Sequence, residues 1–289
     1  MSLSKHIQSL VKSALREDGC QRDITTVFAI SSKLKGKGVI VAQEKGVLSG
    51  IEVAKAVFKQ LNQKIVFKAL KKDGSAFRSG ERIAIIQGNL QTILTGERVA
   101  LNFLSLLSGV TTLTKKFIEK VKGIKVKVKD TRKTIPNLRI LEKYAVRVGG
   151  GCNHRISLSD GIIVKDNHLK AAGCISQGRL NKKRLTSLVA DLREKSSLPI
   201  EIEVENLGEL KEVLKYKPDI IMLDNFSIKN LNRAVSLRNK YYPKIKLEAS
   251  GGINLNNVRA VAGSGVDHIS MGMITDSPEV IDFSLDISD

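Results

Sequence analysis

The stretch "DIIMLDNFSIKNLNRAVSLRNKYYPKIKLEASGG", Asp219 to Gly252, decides the fold. It reads as an apolar run buried on both faces, a helix to Tyr242, and a second strand closed by two glycines. A strand, a returning helix and another strand form a unit that demands a parallel sheet. Outward from it the same rhythm recurs: "IKVKVKD", "DGIIVKD", "IEIEVE" and "VDHISMG" read as strands separated by helical segments. Six strands are identifiable in this half, in a sheet that is either open and doubly wound or an incomplete barrel.

The first third has a different texture. Ile7, Leu10, Val11, Ala14 and Leu15 mark an amphipathic helix that ends near Gly19, and glycine-punctuated β-rich runs flank a helix from Ile51 to Leu61. From Leu90 a long apolar helical stretch follows, with a break or bend expected at Gly109. The chain thus divides into an α/β domain over residues 1–109 and a strand–helix domain over 110–274.

Bulk composition narrows the function. The chain has 289 residues, 42% of them hydrophobic, which suits two cores. Apolar stretches such as Ala100 to Val110 are interrupted by polar residues, and no signal-peptide core opens the chain, so a cytoplasmic, non-membrane protein is expected. Cys20, Cys152 and Cys174 follow neither a disulfide nor a zinc spacing. The net charge of +19 raises nucleic acid as a partner. Against it, the lysines are dispersed, only 4% of residues are aromatic, and no nucleic-acid module appears. A small anionic ligand is the better reading.

In parallel βα folds ligands bind beyond the carboxyl ends of the strands. The residues there are unusually polar: Asp130, Lys165 with Asp166, Glu201, Glu203 and Glu205, Asp224, Glu248 to Ser250, and Ser270 to Gly272. In "EIEVE" the three glutamates share one face; Glu203, central, is the preferred inward carboxylate, while Glu201 and Glu205 are as compatible with a solvated edge. Glu203 and Asp224 close successive strands and suit ribose hydroxyls, a divalent cation or a developing positive charge. Ser250, Gly251 and Gly252, between a strand and a helix, and Gly272 at the next strand end, suit a phosphate at a helix N-terminus. Arg132, Lys133, Arg155 and Lys165 supply forked and point cations to the same rim, and His154, between Asn153 and Arg155, reads as a ligand contact. Such a rim suits a substrate with several anionic groups.

These residues also carry a resemblance. "DTRKTIPNLRILEKYAVRVGGGCNHR", "DGIIVKDNH", "EIEVEN", "IMLDNF" and "EASGGI" follow in an order that resembles the quinolinate phosphoribosyltransferase family, with a departure at Cys152. The resemblance implies an N-terminal α/β sandwich joined by the C-terminal tail, 275–289, and an incomplete barrel of about seven strands. It implies transfer of phosphoribose from phosphoribosyl pyrophosphate (PRPP) to quinolinate with decarboxylation, giving nicotinate mononucleotide, pyrophosphate and CO₂ in NAD biosynthesis. Matched by motif, Arg132, His154, Arg155 and Lys165 would hold quinolinate, joined by Arg98 of "GERVALN" from a second subunit of a homodimer or larger oligomer. Lys133 and Lys165 would face pyrophosphate, Glu203 and Asp224 would bind ribose and Mg²⁺ through water, and Ser250, Gly251, Gly252 and Gly272 would take the 5′-phosphate. Two alternatives stay open: a paralogue of the same fold acting on another acid, and a nucleic-acid-binding protein that retains the fold.

Overall fold

The computed structural model describes residues 3–176 and 179–288. In chain order its elements are α1 (Leu3–Glu17), α2 (Ile24–Ala29), β1 (Lys35–Ala42), β2 (Gly46–Val47), α3 (Ile51–Leu61), β3 (Val66–Ala69), β4 (Ala76–Phe77), β5 (Arg82–Asn89) and α4 (Leu90–Lys120). Then come β6 (Lys127–Lys129), α5 (Arg139–Val148), β7 (Ile162–Val164), α6 (Asp166–Ala171), β8 (Ile175–Ser176), β9 (Arg179–Leu180), α7 (Lys182–Lys195) and β10 (Ile200–Val204). The chain closes with α8 (Leu207–Val213), β11 (Ile220–Asp224), α9 (Ile228–Tyr241), β12 (Lys246–Ser250), α10 (Val258–Gly263), β13 (His268–Ser270), α11 (Met273–Asp276) and β14 (Phe283–Ser288).

Two compact units emerge. The first comprises Met1–Lys115, Lys133–Gly150 and Ile274–Asp289. Its sheet runs in the order β14-β1-β5-β3, all antiparallel, so the C-terminal strand completes the sheet that the first third begins. Helix α5 packs with this unit, although the strand–helix rhythm of the sequence places it with the second half. Tyr144 donates a hydrogen bond to Asp73, Thr111 donates to the Ala145 carbonyl, and Leu141, Ala145 and Val146 are buried.

Helix α4 does not break at Gly109, contrary to the sequence expectation; it is continuous over 31 residues. The glycine has a different cause. A Cβ there would lie 2.2 Å from the Glu279 carbonyl oxygen, so the returning C-terminal segment needs a residue without a side chain. By length and apolar content α4 could cross a bilayer, yet Ile93, Ala100, Leu101, Leu104, Leu107 and Val110 are buried within the protein.

The second unit, Lys116–Arg132 with Gly151–Met273, holds a parallel sheet in the order β6-β13-β12-β11-β10-β7. Among the described residues it has six strands where the resemblance implied about seven, and it does not close on itself. Beside β6 stands an isolated parallel bridge, Lys129 to Cys152, directly after the glycine run 149–151. Strand β11 lies between β10 and β12 and buries Ile221, Met222 and Leu223, which explains an apolar run without alternation. Helix α9 starts at Ser227, whose side chain accepts the Asn230 N–H, and buries Leu231, Ala234, Val235 and Arg238 at helical spacing. At the amino ends of the strands, Asp267 takes the Leu247 N–H and the cations of Arg238 and Lys246, which ties β12, β13 and α9 together.

Candidate active site at the carboxyl ends of the parallel strands

Strand register places the first pair of candidates. Val164 pairs with Ile202 across β7 and β10, so the next residues, Lys165 and Glu203, stand side by side. Lys165 Nζ lies 2.5 Å from Glu203 Oε2; the lysine is nearly half exposed and the glutamate largely covered. On the neighbouring strand Glu203 is level with Met222, and Asp224 stands two residues further toward the rim, where its Oδ2 accepts the Asn225 side-chain N–H. Both carboxylates therefore face the end at which ligands bind.

The glycine loop follows from β12. Ser250 pairs with Asp224, and its carbonyl accepts the Asn225 N–H at 2.8 Å. Gly251 has φ 88° and Gly252 φ 61°, and a Cβ on Gly251 would lie 2.3 Å from Asn225 Oδ1. A side chain is excluded twice, by backbone conformation and by space. The expected helix N-terminus is not there, however. Helix α10 begins only at Val258. Asn254 Oδ1 and Asn257 Oδ1 accept backbone N–H groups of the intervening segment, and Asn257 Nδ2 donates to the Gly252 carbonyl; these local bonds compete with the helix. Gly272 lies between β13 and α11, and the Met271 N–H before it donates to the Lys129 carbonyl.

Asp130, fully buried, organises the segment opposite. Its carboxylate accepts the His154 N–H at 2.7 Å and the Asn153 side-chain N–H at 2.6 Å. Arg155 Nη1 donates to the Gly161 carbonyl at 3.0 Å, folding the loop 155–161 onto itself. Burial and then the positive charge of Arg132 push the Arg155 pKa down. An anion bound by both guanidiniums relieves that repulsion.

His154 looks inward. Its Nε2 lies 3.1 Å from Glu248 Oε1 and 3.3 Å from Glu201 Oε2. Burial alone would lower the imidazole pKa, but the hydrogen bonds and charges of the two glutamates reverse this and raise it to about 9. The Arg155 N–H, 2.9 Å from Nδ1, works against a second ring proton, and two carboxylates in a buried site outweigh one backbone dipole.

Of the three glutamates in "EIEVE", Glu201 is 3% exposed and belongs to this cluster, so it is not the edge residue that alternation equally allowed. Glu205 is exposed, and its N–H is bonded to Glu209. Lys129, Glu248 and His268 complete the interior group, and no motif in the sequence marks Lys129 or His268 individually. Their signal was present in alternation, since "KVK", "LEAS" and "HIS" each put polar side chains two apart on one strand face. Arg98 and Lys133 lie in the first unit and are exposed.

Comparison with known proteins covers nearly the whole chain. Two family descriptions match: "Quinolinate phosphoribosyl transferase, N-terminal domain" over residues 23–108, and its C-terminal domain over 110–286. The nicotinate-nucleotide pyrophosphorylase [carboxylating] of Mycobacterium leprae is 37% identical over 280 residues, covering 96% of this chain and 95% of its own. A probable enzyme of the same name from Synechocystis is 41% identical over 256 residues, covering 88% and 83%. The solved structure of the nicotinate-nucleotide pyrophosphorylase from Francisella tularensis superposes with a TM-score of 0.88 at 37% identity, covering 100% of this chain and 98% of that one.

Proposed function

Because the chain belongs to the quinolinate phosphoribosyltransferase family, a phosphoribosyltransferase family of NAD biosynthesis, we propose a division of the reaction among its own residues. The reaction of the family joins quinolinate to PRPP and releases pyrophosphate and CO₂. The observation that carries our reading is the Arg155 guanidinium, held on the Gly161 carbonyl beside the loop that Asp130 fixes at His154, with the Arg132 charge acting on it. A substrate with two adjacent carboxylates is the ligand that these two guanidiniums favour. His154 adds a third positive charge, and Lys165 a fourth. Arg98 of a second subunit completes the set, so the active species is a homodimer or a larger assembly with shared sites.

PRPP lies across the neighbouring strand ends. The loop Ser250 to Gly252 admits a 5′-phosphate against its backbone, with Gly272 alongside, and Lys133 and Lys165 face the pyrophosphate. Glu203 and Asp224 accept the ribose hydroxyls, and their charge stabilises the oxocarbenium-like carbon as pyrophosphate leaves. Each of these carboxylates spends one oxygen on a protein neighbour, which fits Mg²⁺ held through water better than a closed protein cage. When bound, Mg²⁺ neutralises the pyrophosphate oxygens. Lys165, already seated on Glu203, is positioned to follow the departing charge.

Decarboxylation needs no protein nucleophile. The new glycosidic bond makes the ring nitrogen cationic, which stabilises the electron pair left at the adjacent carbon when the C–CO₂ bond breaks, and that carbon then takes a proton from solvent. Positioning and electrostatics then supply most of the rate.

The test is labelled CO₂ release from quinolinate with PRPP and Mg²⁺, with nicotinate as the control acid. Release only with quinolinate supports the reading, and loss of it in folded Arg132→Ala protein supports the assigned fork. Turnover unchanged by Arg132→Ala overturns that assignment.

A further inference from the structure

Behind the proposed quinolinate contacts sits a group that the reaction does not touch. Glu248 is fully buried and Glu201 nearly so, two carboxylates inside a sheet beneath a site for a dianion. Unneutralised, they would repel the substrate that Arg132 and Arg155 attract. Two cations meet them. Lys129 Nζ lies 2.7 Å from Glu248 Oε2, and His154 Nε2 lies within 3.3 Å of both glutamates. Lys129 also points at Nδ1 of His268, at 3.0 Å, so an ammonium that can only donate is fixed from two sides.

Resting on the reading that Arg132, His154 and Arg155 receive quinolinate, we propose that Lys129 and Glu248 are positioning residues for that substrate: Glu248 orients the His154 ring, and Lys129 cancels the buried negative charge. Lys129, His154, Glu201 and Glu248 sum to zero only while His154 is an imidazolium. The raised His154 pKa and the depressed Glu248 pKa agree with that state; burial opposes the Glu248 anion, and its contact with the His154 ring and the Lys129 charge overcome it.

Charged groups around His154 come from several segments. Asp130 after β6, Glu201 on β10 and Glu248 on β12 contact it, Lys129 on β6 and His268 on β13 meet it through Glu248, and Arg155 follows it in the chain with the Arg132 charge acting on that arginine. Of these, Asp130 bonds to the His154 backbone and to Asn153, so it holds the loop rather than the ring. Glu201 and Glu248 both reach Nε2. A buried ion pair that merely fills the core would serve stability without affecting one substrate more than another.

The experiment is steady-state kinetics on Lys129→Gln, Glu248→Gln and the double variant, with each substrate varied in turn from pH 6 to 10. Lys129→Gln leaves one buried negative charge, and the KM for quinolinate should rise about tenfold, with kcat and the KM for PRPP changed less than about threefold. The double variant restores neutrality and should recover most of that loss. In the unsubstituted enzyme the quinolinate KM should climb as pH passes through about 9, and in Glu248→Gln this limb should move to lower pH, because one of the two carboxylates holding the ring proton is gone. Equal rises in both KM values, or an unmoved limb, overturn the proposal.

A second measurement needs no core variant. The ¹⁵N shifts of the imidazole rings in the unsubstituted enzyme, with His154→Gln as the assignment control, report the charge directly. An imidazolium at pH 7.5 is expected, and a neutral His154 ring there overturns the proposal even if the variants fail to fold. Failure of the underlying reading is separable: it would appear as no quinolinate-dependent CO₂ release by the unsubstituted enzyme.

Discussion

Lys165 Nζ lies 2.5 Å from Glu203 Oε2, on adjacent parallel strands one residue beyond the last paired position, Val164 with Ile202. The pair joins a cation suited to departing pyrophosphate to a carboxylate suited to an electron-poor sugar carbon. Glu203 is largely covered, but Lys165 is nearly half exposed, so solvent screens the pair and it adds little to stability.

Glu203→Gln should therefore lower kcat by about 10²–10³-fold while shifting the thermal midpoint little, since it removes charge from the transition state and leaves the shape. Circular dichroism melting beside CO₂-release kinetics reads both quantities. A loss confined to KM would mean that Glu203 only binds ground-state PRPP.

The glycine loop makes a steric prediction. Gly251→Ala forces a side chain into a left-handed backbone and against Asn225, and should cost roughly 1–3 kcal/mol of stability and weaken PRPP binding. Gly263→Ala, in helix α10 with nothing within 4 Å of the added Cβ, should instead stabilise by up to about 1 kcal/mol. Denaturant midpoints of the two variants should move in opposite directions.

The pH dependence of stability follows from His154. Its folded pKa, about 9, stands above the ordinary 6.5, so its contribution is complete below pH 6.5 and disappears as pH rises through about 9. The loss over that window is at most ~3 kcal/mol. Melting curves should show a lower midpoint at pH 9.5 than at pH 6.5, and His154→Gln should flatten the difference.

If sites are shared between subunits, two inactive variants should complement each other. Arg98→Ala and Lys165→Ala, unfolded together and refolded, should regain about a quarter of full activity, because statistical mixing gives half the dimers one intact site of two. Activity that stays at the level of the separate variants would remove Arg98 from a neighbouring site.

The parallel sheet was legible because its signals are local. The apolar "IIML" must be covered on both faces, and Ser227 caps α9 through its own neighbours. The rim residues were legible for the same reason: Lys165, Glu203 and Asp224 each follow a recognisable strand. Glu201 was harder, because alternation assigns a face without saying which face is covered.

The sequence by itself thus determined the strand–helix order, the polar strand ends and the family, all of which reside in consecutive residues. Only the tertiary structure decided that Glu201, Glu248, Lys129, His154 and His268 form one buried group, that α10 begins at Val258, and that Gly109 yields to the Glu279 backbone rather than breaking its helix. The physical reason is distance along the chain: Lys129 and Glu248 are 119 residues apart, and their charges acquire meaning only when strand register brings them within 2.7 Å.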